Sequence, residues 1–171
     1  MIEKTNIEGL VIFTPKIHED KRGYFFESYN KKVFNHDMAF IQDNESKSKF
    51  GTLRGIHFQK GPYQQSKLVR VIKGEVQDVA VDLRPKSKTY KKYFSIVLSD
   101  ENKKQLFIPK GFGHAFLTLS DYAIVSYKVD SFYNKNSDAG IKFDDPSINI
   151  KWLLDPSDII LSDKDKSLPV L

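Results

Sequence analysis

The 171-residue chain contains no cysteine. That excludes disulfides, thiolate metal sites and cysteine nucleophiles together. No window approaches the roughly 18 apolar residues of a membrane span, and MIEKTNIEGLVIF at the start carries acid without a long apolar run. A soluble cytoplasmic protein with no membrane partner is expected. No long amphipathic helical pattern occurs, so helix content should be low. Basic residues never run beyond two in a row and are interleaved with Asp and Glu. The net charge of +5 therefore reads as a solvated lysine-rich surface, and no nucleic-acid partner is expected.

What is present is a series of short aromatic and β-branched runs. Strands are expected at Leu10–Phe13, Gly23–Ser28, Phe40–Gln42, Leu53–Gln59, Lys67–Ile72, Val76–Leu83, Tyr93–Leu98, Gln105–Ile108, His114–Leu119 and Ala123–Val129. Asn30 to Met38 is the best short helix, with Asn30 as N-cap. Strands at this spacing imply an all-β sandwich or barrel, in one domain over residues 1–171. After Tyr133 the chain becomes irregular, and Pro146, Pro156 and Pro169 preclude long elements. Trp152 and Leu153 are expected to pin this tail to the barrel, and LSDKD (Leu161 to Asp165) could close over a site.

Gly51 to Asp82 concentrates the polar residues that need an explanation. By the period-two rule Leu53 and His57 share a face and Arg54 takes the other, unless the ladder slips by one residue at Gly55. Asp78 shares a face with Val76 and Ala80, where an unpaired carboxylate is costly. Arg54, Lys67 and Arg70 are its candidate cationic partners. A strand histidine is more often structural than catalytic, but His57 follows Gly55 and His114 follows PKGFG, both conformationally special stretches.

These residues resemble a known family. LRGIHFQ, KLVRVIKGEVQDVAVDLR and QLFIPKGFGHAFLTLSDYA are similar to signature blocks of the dTDP-4-dehydrorhamnose 3,5-epimerases, enzymes with a cupin-type double-stranded β-helix, or jelly-roll barrel, carrying short peripheral helices. DKRGYFFESYN, IQDNESKSK, the block from Tyr127 to Pro146, and LSDKD resemble further family motifs in family order, covering nearly the whole chain. The resemblance implies inversion of C3 and C5 of a dTDP-4-keto-6-deoxyhexose, by a homodimer needing no cofactor. It makes His57 the base, Asp165 its orienting carboxylate, Lys67 the cation at the C4 oxygen and Tyr127 the opposing acid. It also implies substrate contacts from Arg22, Phe25, Glu27, Gln42, Asp43, Asn44, Arg54, Asp78, His114, Tyr133, Asp138 and Lys164, with Tyr133 stacking on the base.

PKGFGH also resembles the second motif of metal cupins, whose first motif supplies H-x-H. Here that motif reads His57-Phe58-Gln59, and Lys67 brings a repelling cation, so no metal is expected. Glu45 stands where the family commonly has histidine, and Asp138 where it tends to have glutamate. A guanosine or cytidine diphosphate sugar therefore stays open, as do single-carbon epimerisation and 3,4-ketoisomerisation. A metal cupin oxygenase and a non-catalytic sugar-nucleotide sensor are the readings outside that chemistry.

Overall fold

A computed structural model describes residues 1–34 and 39–171. Thirteen strands follow in chain order: β1 (Ile2–Lys4), β2 (Val11–Phe13), β3 (His18–Asp20), β4 (Gly23–Phe25), β5 (Gln42–Lys49), β6 (Leu53–Gln59), β7 (Lys67–Lys73), β8 (Glu75–Asp82), β9 (Tyr93–Ser99), β10 (Gln105–Ile108), β11 (Phe112–Thr118), β12 (Tyr122–Val129) and β13 (Asp138–Gly140). Among the described residues, two one-turn helices, α1 (Lys31–Phe34) and α2 (Asp163–Lys166), and three short 3₁₀ turns at Gly61–Tyr63, Lys135–Ser137 and Pro156–Asp158 complete the regular structure. The expected helix from Asn30 thus has a described first turn, while its remainder at 35–38 lies outside the described residues.

The strands form a six-stranded antiparallel sheet in the order β1-β2-β10-β7-β12-β5, and a five-stranded one in the order β13-β6-β11-β8-β9. β3 and β4 make a separate hairpin. Alternation aims one face of each sheet at the other. Val69, Val71 and Val125 from the first sheet thus meet Val76, Ala80 and Phe116 from the second in one buried core. Both outer faces are also covered. The tail lays Ile141, Ile148, Ile150 and Trp152 over Ile56, Val79 and Val81, and Phe34 packs with Phe13, Leu68 and Phe107 on the other side.

At Gly74 the chain crosses from β7 in one sheet to β8 in the other. A Cβ there would lie 2.2 Å from the Tyr122 carbonyl oxygen, and φ is +83°, so only glycine makes this corner.

Two expectations need correction. The strand sought at Phe40–Gln42 instead runs over Gln42–Lys49. Its sequence QDNESKSK is polar on both faces: it is an edge strand whose outward residues are exposed and whose inward Asn44, Ser46 and Ser48 are small or polar, which defeats hydrophobic alternation as a signal. Trp152 packs against the barrel, but Leu153 is 58% exposed, and its backbone amide, donating to Gln77 Oε1 at 2.8 Å, makes the attachment.

Candidate active site

On β6, Arg54 pairs with Phe116 of β11 and His57 with His114, so Gly55 and Ile56 together oppose Ala115 alone. This is a bulge, and it turns Arg54 to the same side as His57. A Cβ on Gly55 would sit 2.5 Å from the Ala115 Cβ and 2.6 Å from the His114 carbonyl oxygen, with φ at +129°. The glycine permits both the close approach and the conformation.

The bulge faces a cavity of about 520 Å³ between the sheets. His57, Arg54 and His114 line it from the five-stranded sheet, and Lys67 and Tyr127 from the six-stranded one. Lys164 and Asp165 close it from α2. His57 Nε2 lies 2.5 Å from Asp165 Oδ1, and Asp165 is only 4% exposed. The ring's Nδ1 is then the nitrogen available to a ligand. Burial lowers the His57 pKa against the opposing pull of Asp165, while Lys164 and Lys67 reinforce the decrease, so the imidazole is neutral at neutral pH.

Lys67 sits with its Nζ 5.7 Å from the centre of the Tyr127 ring. Desolvation lowers its pKa to about 8, with Asp78 and Asp138 pulling the other way. Burial raises the Tyr127 pKa, which keeps the phenol a proton donor. A neutral imidazole, a cation and a protonated phenol therefore face one volume.

His114 Nε2 meets Asp78 at 2.9 and 3.1 Å in a fully buried contact. Asp78 therefore takes His114 as its hydrogen-bonded partner rather than Arg54, Lys67 or Arg70. The reason is register: across the β8–β11 ladder Phe116 stands opposite Asp78 and His114 opposite Ala80, so His114 is the diagonal neighbour of Asp78 on the same face, a pairing not visible in either strand alone. At the rim, Asp138 joins Lys164 and accepts from the Tyr133 hydroxyl at 3.2 Å. Tyr133 itself is 56% exposed.

Several expected contacts lie elsewhere. Asp43 is on the outer face of β5 and pairs with Lys128 Nζ at 2.7 Å, because period two puts Gln42 and Asn44 inward and Asp43 outward. Gln42 Nε2 donates to Asn44 Oδ1 at 2.7 Å, and Asn44 is the cross-strand partner of Tyr127. Arg22 and Phe25 belong to the β3–β4 hairpin, where Arg22 pairs with Asp20. Glu27 follows that hairpin and binds Asn30 Nδ2 at 3.2 Å. None of Arg22, Phe25 and Glu27 lines the cavity of its own chain.

Leu161 and Ser162 of LSDKD line the cavity wall, the side on which that segment was expected to close, while sequence reasoning missed Ser46, Thr52, Phe116 and Ile160. Ser46 Oγ is buried there without a partner. Its inward position, alternate to Asn44 and Ser48, becomes evident only once β5 is recognised as a strand.

A two-sheet barrel with an oriented histidine, a cation and a phenol converging in its lumen has the form of a small-molecule enzyme built on the cupin-type fold. Residues 4–171 match the family model described as dTDP-4-dehydrorhamnose 3,5-epimerase. The dTDP-4-dehydrorhamnose 3,5-epimerase of Shigella flexneri is 51% identical over 166 residues, covering 95% of this chain and 91% of that protein. The crystal structure of the Bacillus anthracis enzyme of that name, with TDP and PPi bound, superposes with a TM-score of 0.96 at 44% identity, covering 100% of this chain and 99% of that one. That of the Legionella pneumophila dTDP-6-deoxy-D-glucose-3,5-epimerase, in complex with dTDP-4-keto-L-rhamnose, gives 0.95 at 41% identity, covering 99% and 92%. The chain belongs to the dTDP-4-dehydrorhamnose 3,5-epimerase family.

Proposed function

We propose that this protein inverts C3 and C5 of dTDP-4-dehydro-6-deoxy-D-glucose, giving dTDP-4-dehydro-L-rhamnose, in the cytoplasm and as a homodimer. The observation that carries the reading is that His57 and Tyr127 line one cavity from opposite sheets, with Lys67 beside Tyr127. Epimerisation next to a ketone removes a carbon-bound proton from one face and returns one to the other. Asp165 accepts a hydrogen bond from the Nε2–H of His57, which leaves the Nδ1 lone pair to take the proton from carbon. The C–H electron pair moves into the enolate, whose negative C4 oxygen meets the Lys67 ammonium. Tyr127 then delivers its hydroxyl proton to the opposite face, and solvent restores both groups.

Arg54 provides a fork suited to the diphosphate, and Tyr133 a ring for the base. The complexes of the two related crystal structures support a thymidine diphosphate ligand. Among the described residues no group of three or more His, Cys, Asp or Glu could hold a metal ion, so we expect turnover to survive chelation. The hairpin supports the dimer: Tyr24 and Phe25 are 56% and 68% exposed, and Arg22 lies away from its own cavity. A second copy presenting that hairpin to the cavity mouth would supply the Arg22, Phe25 and Glu27 contacts, and the mass in solution tests this.

The test of the reaction is proton NMR of the sugar nucleotide in heavy water. The wild type should exchange both the C3 and the C5 hydrogens, and His57→Ala neither. Exchange at only one carbon, or persistent exchange in His57→Ala, would overturn the assignment.

A further inference from the structure

The carboxylate behind His57 sits on a single helical turn, which has no stability of its own. Its position must come from its flanks. On the N-terminal side, Ile160 donates to the Gly51 carbonyl at 2.8 Å and accepts from the Leu53 amide at 3.0 Å, which lashes the segment to the start of β6. Ser162 Oγ then accepts from the Asp165 amide at 3.1 Å. On the C-terminal side, Leu168 packs so closely over Gly140 that a Cβ there would lie 2.7 Å from both leucine methyls. The Pro169 carbonyl accepts from the Lys142 amide at 2.8 Å, and the Leu171 amide donates to Asp145 Oδ2 at 2.6 Å.

Asp145 is 1% exposed and outside the cavity. Its two oxygens are divided between two tasks. Oδ1 holds its own turn, accepting from the Ser147 amide and hydroxyl at 2.8 and 2.6 Å and from the Ile148 amide at 3.2 Å. Oδ2 holds the tail. Burial opposes the charge, but hydrogen bonds from Ser147, Leu171 and Ile148 keep the carboxyl below its usual range, hence ionised and a strong acceptor.

We propose that Asp145 is a positioning residue for the reaction: by anchoring the segment after α2, it holds Asp165 against His57 and so keeps the base oriented. This rests on the reading of His57 as the base. The titratable and charged groups around that imidazole are Asp165 and Lys164 from α2, Lys67 from β7, Tyr127 from β12, Arg54 from β6 and His114 from β11. Asp165 is the one that raises its basicity, so slackening the anchor should weaken the base rather than substrate binding.

Asp145→Asn tests this selectively. The amide oxygen can keep the three donors of the turn, whereas its NH₂ then faces the Leu171 N–H, donor against donor. Expected are a kcat lowered about tenfold or more with KM held within about twofold, and an acid limb of kcat displaced to lower pH. In an Asp165→Asn background the same change should cost no more than about a further twofold, because both act through one contact. Wild-type kcat in Asp145→Asn, multiplying losses in the double variant, or a change confined to KM would overturn the proposal. If Asp145→Asn does not fold, Leu168→Ala loosens the same clamp with the same expectations and the same refutations. Heavy-water exchange by wild type but not His57→Ala, measured alongside, separates failure of this inference from failure of the functional reading.

Discussion

Replacing Lys67 by methionine should yield a protein more stable at neutral pH and almost inactive. Desolvation in the cavity wall brings the ammonium pKa from 10.5 to about 8 despite the attraction of Asp78 and Asp138. At about 1.4 kcal/mol per pH unit, this disfavours the charged form in the folded state by about 3 kcal/mol. Between pH 8 and 10.5 the unfolded chain keeps a proton that the folded one has released, so this group's contribution to stability rises with pH across that window. The cost is fully present below about pH 8 and absent above 10.5. Methionine spans a similar length without charge, and should raise Tm at neutral pH by roughly 6–12 °C for a chain of this size. The gain should vanish as pH passes 10.5.

Turnover should fall by roughly 10²–10³ with the loss of the cation at the developing C4 oxyanion. The same titration should set the basic limb of wild-type kcat/KM near pH 8, and the lowered His57 pKa should place the acid limb below the ordinary histidine value of 6.5. Thermal melts of both proteins across pH, with one kinetic pH series, read all of this. A Tm unchanged or lower at neutral pH, a gain that persists undiminished above pH 10.5, or a wild-type basic limb at the ordinary lysine pKa would refute the reasoning.

Two further outcomes are expected. Tyr127→Phe should retain deuterium wash-in at C3 and C5 while inverted product falls by roughly 10²–10⁴-fold, since the base is intact and only the opposing acid is gone; inversion at the wild-type rate would remove Tyr127 from the chemistry. Gly55→Ala should cost roughly 2–5 kcal/mol through the positive φ and the overlap with Ala115, and displace Arg54 and His57 together, so an unchanged denaturant midpoint and turnover would contradict the role given to the bulge.

Strands β6, β7, β8, β10, β11 and β12 were legible as short apolar and aromatic runs bounded by turn residues, and β8, β10 and β11 run apolar on both faces because the opposite sheet covers one and the tail or the N-terminal segments the other. β5 was not, because its inward Asn44, Ser46 and Ser48 are polar residues toward the barrel interior, so no apolar alternation marks the strand. β4 lies within the strand expected at Gly23–Ser28, but its partner β3 hid inside the polar stretch that reads as a turn. A slip at Gly55 could be suspected from the glycine, but whether it occurs depends on Ala115 in the partner strand.

The sequence by itself determined the all-β class, the absence of thiol chemistry, and the histidine, lysine and tyrosine that the family resemblance singled out, since these depend on composition, local periodicity and residue type. Only the tertiary structure decided partners and faces. It gave Asp78 to His114, turned Asp43 away toward Lys128, and left Arg22, Phe25 and Glu27 outside their own cavity. The physical reason is that ladder register, the bulge and the anchored tail join residues far apart in the chain, and no local pattern encodes those pairings.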